Sequence, residues 1–427
     1  MKIAILHYHM NPGGVSRIIE MQLEALMLQS DISEITVLSG ASESSIKIPE
    51  NVRFVCNPDL NYINCMELNP DDSSAIYQRL LEFLTRELTA DTIIHAHNLN
   101  LGKNPILTAV LSHMLKNSYK MVNHIHDFAE DRPANMKALE YTLEKHFGHS
   151  LEEILYPVDL NCRYAVLNSE YVQRLKDFEV PAELVCLLPN PVKVNPVPAH
   201  NQEKTREKVQ QTLGLNPKLP NYVYPVRGIR RKNLGEFILL AALFRNKANW
   251  ITTLPPLNPL EKVEYYKWKD FCREQEIPVV FEAGESCGFA EIMAAADRSV
   301  TTSIREGFGM VFLESWFFGL PVVGRDLPVT GDFRNAGVKF EGLYQRLESY
   351  DSKDFGDLPQ EGQMAYILKL LGSERASRKF LSANPDLTKI FKDFSTEMIS
   401  ANRKLIQKHY SVENYGKELL NIYKQLV

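Results

Sequence analysis

Short apolar runs of the kind that form buried strands alternate with helical periods through both halves of this 427-residue chain. Ile3 to Leu6, Ile35 to Leu38, Val52 to Val55, Thr92 to His95, Lys120 to His124, Tyr164 to Leu167 and Val185 to Leu188 read as strands. Helical stretches such as Ser16 to Gln29 and Ser73 to Leu88 lie between them. Such alternation implies a mostly parallel sheet with helices on both faces, because parallel strands need a crossover long enough to hold a helix. Pro189-Asn190-Pro191 and Asn195-Pro196-Val197-Pro198 then punctuate the chain, which places a linker near residues 190 to 204. Beyond it, Asn221 to Pro225, Trp250 to Thr253, Val279 to Phe281, Arg298 to Thr302 and Leu320 to Val323 repeat the pattern. The expected fold class is α/β, with two doubly wound, Rossmann-like domains at residues 1–195 and 205–404. The segment from about Asn402 to Val427 carries apolar residues at helical spacing.

This length exceeds one ordinary core and suits two. Residues 1–200 hold 16 Lys and Arg against 25 Asp and Glu, and the remainder holds 32 against 28, so a first half at −9 precedes a second at +4. That balance argues against a nucleic-acid partner and places the likelier anion site in the second half. It also argues against stable docking on an anionic membrane, which relies on clustered Lys and Arg. The six cysteines show no C-x-x-C pair and no zinc spacing, and the apolar stretch after Met1 is too short for a signal peptide. A reduced, cytoplasmic location is the expectation.

Residues 303 to 324 carry the most chemistry. Glu306 precedes Gly307-Phe308-Gly309, the apolar run to Phe318 is long enough for a short helix, Gly319 suits its left-handed stop, and Pro321 prevents its resumption. A helix opening at the two glycines lets a ligand approach the main chain and favours an anion such as a diphosphate. Glu314 would lie about 12 Å along the axis from Glu306 if the whole segment were helical. Ser303-x-x-Glu306 also reads as a capping box, and the segment alone fits both readings. The two glutamates at this spacing resemble the acid-x7-acid motif of family-4 retaining glycosyltransferases. That resemblance implies the two-domain GT-B fold, a last helix (about residues 405–427) crossing back to the first domain, Glu306 holding the donor sugar and Glu314 the ribose hydroxyls.

Other segments match the same family in part. Gly13-Gly14, at the turn after the first strand, resembles its first-domain glycine loop facing the donor diphosphate. Arg227-Gly228-Ile229-Arg230-Arg231-Lys232-Asn233 resembles its G-R-x-x-x-x-K-N segment with Val226 in place of the first glycine, so that Arg227 and Lys232 would neutralise the diphosphate. Arg230 and Arg231 read as solvent-facing. His126, in His124-Ile125-His126-Asp127, would orient the sugar hydroxyls, with His124 and Asp127 read as a structural hydrogen-bonded pair. Gly284 falls in the segment whose backbone faces the nucleobase in the family. His97, Asn98 and Arg132 are acceptor-side candidates. His7, His9, His95 and His97 add histidines to the same rim, but none has compact ligand spacing with a nearby carboxylate, so no metal or other cofactor is expected. Asp354-Phe355-Gly356 is a chance match to a kinase triplet. The resemblance fades between Arg325 and about Tyr366.

The implied activity is metal-independent, retaining transfer of a hexose from a nucleotide diphosphate sugar to a hydroxyl acceptor, a soluble sugar or small hydroxy acid, in a cleft between the domains. An epimerase or phosphorylase of the same fold, or a non-catalytic nucleotide- or sugar-binding protein, is the alternative.

Overall fold

All seven apolar runs of the first half form strands: β1 (Lys2–His7), β2 (Glu34–Ser39), β3 (Arg53–Cys56), β4 (Thr92–His97), β5 (Lys120–Ile125), β6 (Cys162–Val166) and β7 (Val185–Leu187). The structure, a computed structural model, describes residues 1–427, the side chains of Ala199 and Asp351 excepted. The strands pair in parallel in the order β3-β2-β1-β4-β5-β6-β7, with Ile3 level with Ile35 on one side and Ile93 on the other. The winding reverses between β1 and β4, and at such a switch the carboxyl ends of the strands open a crevice. His7 ends one of these strands and His97 the other.

The second half builds a six-stranded parallel sheet from β8 (Asn221–Tyr224), β9 (Asn249–Thr252), β10 (Val279–Val280), β11 (Arg298–Thr301), β12 (Val322–Arg325) and β13 (Gly342–Tyr344), in the order β10-β9-β8-β11-β12-β13. β13 was not expected from the sequence, because three residues are too few to show a period. Gly342 is required there, since a Cβ would lie 2.7 Å from Val323 Cγ1. The chain divides into two compact units, Met1–Pro191 with Tyr410–Val427 (unit 1) and Val192–His409 (unit 2).

The single helical pattern read near the C-terminus is two helices, Thr396–His409 and Val412–Lys424. Ser411 separates them by accepting the Asn414 N–H at 3.1 Å, as a helix N-cap does. In the first helix, Asn402 bonds both backbone groups of Lys339 and holds the helix within unit 2. The second helix places Tyr415, Leu419, Ile422 and Tyr423 in the unit 1 core with Ile18, Ile19 and Leu23 of helix Gly14–Met27.

Unit 2 also buries ions. Glu236, fully enclosed, bonds the guanidinium of Arg325 and takes the Tyr344 hydroxyl at 2.7 Å. Asp354 receives Arg325 at 2.6 and 2.7 Å. The stretch where the family resemblance fades thus closes the unit 2 core, and Asp354-Phe355-Gly356 is structural, with Phe355 fully buried. Among the described residues no helix is long and apolar enough to cross a membrane.

Candidate active site

In unit 2 the loops after β8 and β11 meet. The carbonyl of Lys232 accepts from Tyr224 at 2.7 Å and from Thr302 at 3.1 Å, and Asn233 follows in the left-handed region (φ 53°). The Ile304 N–H donates to the Arg231 carbonyl at 3.0 Å. These bonds bring Glu306 onto the Lys232 ammonium, while its other oxygen takes Arg231 at 3.1 Å. The Glu306 side chain is 5% exposed. Burial alone would raise its carboxyl pKa, but the attraction of Lys232 and Arg231 outweighs that and holds it below the ordinary value. Burial pulls Lys232 downward against the opposing pull of Glu306.

Arg231 is exposed, as read from the sequence, and it also belongs to the Glu306 group. Arg230 is also engaged, donating to the Gly356 and Leu358 carbonyls at 3.3 and 2.9 Å. Arg227 donates to the Pro255 carbonyl at 2.7 Å, so in this structure it is Arg231 and not Arg227 that shares the carboxylate with Lys232. Linear spacing cannot distinguish these arginines; the turn at Arg230–Lys232 decides which one reaches back.

The helix beyond Glu306 is shorter than its pattern. It spans Val311–Phe317 and leaves Gly307, Phe308 and Gly309 in the preceding loop. Gly309 has φ 84°, and a Cβ there would fall 2.8 Å from the Phe312 ring, so the chain turns too sharply for a helix to start earlier. The capping-box reading fails for the same reason, since no helix begins at Ser303. The 12 Å axial estimate lapses with it. Glu314 sits half-buried in the first turn. The stop is as expected: Gly319 has φ 74°, and the N–H groups of Leu320 and Gly319 donate to Ser315 and Trp316, both at 3.0 Å. The Phe308 ring packs against Phe333 at 5.5 Å and is 5% exposed, so its side chain belongs to the core. Gly284 gives its N–H to the Thr253 carbonyl at 2.8 Å, which removes that donor from any ligand; a Cβ there would strike Leu254 at 2.8 Å.

In unit 1, Gly13 and Gly14 open helix Gly14–Met27 with free space beside them: a Cβ would meet nothing closer than 3.8 Å at Gly13 and nothing within 4 Å at Gly14. His126 lies just past β5. Its N–H donates to Asn98 Oδ1 at 2.8 Å, its carbonyl accepts from Tyr171 at 3.3 Å, and its Nε2 lies 2.9 Å from His97 Nδ1. Two acceptor candidates are thereby corrected. His97 and Asn98 are 1% and 2% exposed, His97 bonding His126 and Gln22 through its two ring nitrogens and Asn98 Oδ1 accepting from the His126 and Asp127 N–H groups, whereas Arg132 stays exposed and pairs with Asp127 at 3.0 Å. His124 is partnered by His95 at 3.1 Å, not by Asp127.

His95, His97 and His124 each bring a ring nitrogen within 4.8 Å of the others, a grouping across neighbouring strands that linear spacing does not reveal. Every ring nitrogen of the three has a hydrogen-bond partner except His124 Nε2. Burial lowers the pKa of His124 to about 3, and drives those of His95, His97 and His126 well down, so these imidazoles are neutral.

No family model matches the chain. Mannosylglucosyl-3-phosphoglycerate synthase of Petrotoga mobilis is 28% identical over 433 residues, covering 97% of this chain and 82% of that protein. Among solved structures, sucrose-phosphate synthase from Thermosynechococcus elongatus superposes with a TM-score of 0.62 at 16% identity, covering 100% of this chain and 98% of that one. Anabaena HepE in complex with UDP-glucose superposes with a TM-score of 0.62 at 15% identity, each chain covered in full. The chain has the GT-B fold, and its relative and fold neighbours together support glycosyltransferase chemistry.

Proposed function

We propose that this chain is a retaining, metal-independent glycosyltransferase moving a hexose from a nucleoside diphosphate sugar to a hydroxyl of a small phosphorylated sugar or hydroxy acid. The observation that carries the reading is buried, ionised Glu306 held by Lys232 and Arg231. An ionised carboxylate accepts hydrogen bonds from sugar hydroxyls, and fixed cations beside it stabilise the charge that develops on a departing diphosphate. Glu314 is the candidate for the ribose, the open Gly13-Gly14 turn for close approach of the diphosphate, and Arg227 for a further phosphate contact once it leaves Pro255. In this reading the acceptor oxygen bonds to the anomeric carbon on the face from which the diphosphate departs. The bond from that carbon to the phosphate oxygen breaks, and the leaving diphosphate takes the hydroxyl proton. These side chains act by position and charge.

The acceptor class is taken from the Petrotoga relative, whose name specifies a phosphoglycerate glycoside. Arg132 is the candidate for its anionic group. Metal independence is supported by the cations beside Glu306, which can neutralise a diphosphate, and a cytoplasmic setting by the six free thiols.

The test is a matrix of UDP- and GDP-hexoses against phosphoglycerate glycosides, followed by the anomeric configuration of any product and by dialysis against EDTA. Glu306→Gln keeps the shape of the side chain and removes its charge; transfer should fall by about a hundredfold or more. Wild-type turnover by that variant, or no donor raising the melting temperature, would overturn the reading.

A further inference from the structure

Six buried side chains of unit 1 form one continuous run of hydrogen bonds. His126 Nε2 lies 2.9 Å from His97 Nδ1, and His97 Nε2 lies 2.8 Å from Gln22 Oε1. Gln22 Nε2 donates to the Tyr423 hydroxyl at 3.2 Å, and that oxygen lies 2.8 Å from His95 Nδ1. His95 Nε2 then meets His124 Nδ1 at 3.1 Å. Apart from His126, at 6%, none of these residues is more than 1% exposed.

Neutral imidazoles each carry one N–H, so every link needs one donor and one acceptor, and one choice propagates along the whole run. Gln22 is the only member whose two ends differ in kind, and the orientation of its amide in this structure, Oε1 toward His97 and Nε2 toward Tyr423, sets the choice. Its carbonyl oxygen can only accept, so His97 donates through Nε2 and keeps a lone pair on Nδ1. His126 must then donate through Nε2 and carry its own lone pair on Nδ1. On the other side the Gln22 amide donates to the Tyr423 oxygen, Tyr423 gives its own hydrogen to His95 Nδ1, and His95 donates to His124 Nδ1, which leaves the His124 proton on Nε2, the ring nitrogen without a partner. Turning the amide over would reverse every link. At His126 the run ends on Nδ1, which has no hydrogen-bond partner among the described residues.

We propose that Gln22 is a positioning residue that, through His97, fixes His126 as an Nδ1 acceptor, so that a sugar hydroxyl meeting this ring donates its hydrogen to it. The inference rests on the reading of His126 as facing the sugar. It adds the direction of that hydrogen bond and the residue that sets it.

Long-range proton–nitrogen correlation spectra of full-length protein labelled with ¹⁵N-histidine, assigned by loss of the His126 signals in His126→Gln, test it directly. The expected result is a protonated Nε2 and a bare Nδ1 on His126; a protonated Nδ1 overturns the proposal, and this readout needs no variant at Gln22. Gln22→Met removes both polar ends and should mix the His126 tautomers and lower kcat by about tenfold, roughly the value of one hydrogen bond made in the transition state, with the donor KM little changed. Gln22→Glu still accepts from His97 and should restore both. A Gln22→Met protein with an unaltered His126 spectrum overturns the inference. One with mixed tautomers but undiminished kcat supports the hydrogen-bonded run and overturns instead the assignment of His126 to the sugar.

Discussion

Both units carry buried polar side chains at or beside the carboxyl ends of parallel strands, and they do so by opposite means. Unit 1 uses neutral groups, four imidazoles, an amide and a phenol, linked to one another by orientation. Unit 2 uses charges, Glu236 with Arg325 and Asp354, and Glu306 with Lys232 and Arg231, each satisfied by a counter-charge. A neutral network has to be directed, and one reversed amide changes it throughout. A charged cluster has to be balanced, and removal of one member leaves its partner exposed to the full cost of burial.

Acid should separate the two most strongly. His7, whose pKa burial lowers to about 4, and His95, His97, His124 and His126 are neutral when folded but titrate near 6.5 when unfolded. Between those values only the unfolded state takes the proton, so stability falls as pH drops through 6.5, by roughly 1.4 kcal/mol per pH unit for each histidine. In unit 2, Glu306 and Asp354 are held below their ordinary values of 4.5 and 3.8, so their contribution is complete above those values and is lost only as pH falls further. The three tryptophans, Trp250, Trp268 and Trp316, all lie in unit 2. On acidification from pH 7, hydrogen exchange in residues 1–191 should rise at a higher pH than the tryptophan fluorescence changes. Simultaneous transitions would erase the contrast.

A smaller effect, confined to unit 2, is expected from Arg325→Met. It leaves Glu236 buried without a cation and should cost about 3–5 kcal/mol, read as a lower urea midpoint by tryptophan fluorescence. The least is expected at Gly14→Ala. With φ outside the left-handed region and open space around it, this change should leave stability unchanged or raise it by up to about 1 kcal/mol. If transfer falls while the melting temperature holds, the glycine serves the approach of a ligand and not the fold.

The strands were legible because parallel strands buried on both faces read as unbroken apolar runs, and Gly319 with Pro321 announced the end of their helix. β13 was hidden by its brevity, and the helix start by Gly309, whose positive φ leaves no trace beyond its being a glycine. At the site, Glu306 and Lys232 stood out through their resemblance to family motifs, and the structure brings the two side chains together. Arg231 did not, because three neighbouring cations look alike until a turn aims one of them. Gln22 and Tyr423 lie 401 residues apart and carry no local signature of the bond between them. His97 and Asn98 were misread because position at a strand end does not say whether a side chain faces the crevice or the helix layer.

Tyr423 belongs to a helix that leaves the ribosome after the whole of unit 2 has been made, although its partners Gln22 and His95 are among the first hundred residues. A nascent chain can therefore complete the uninterrupted unit 2 while unit 1 still lacks one wall of its core. Until residues 410–427 dock, the histidine run has no phenol to join its halves. The order of synthesis thus makes the last helix the step that closes unit 1, and truncation within it would strip the His95 end of its partner while leaving the Glu306 group untouched.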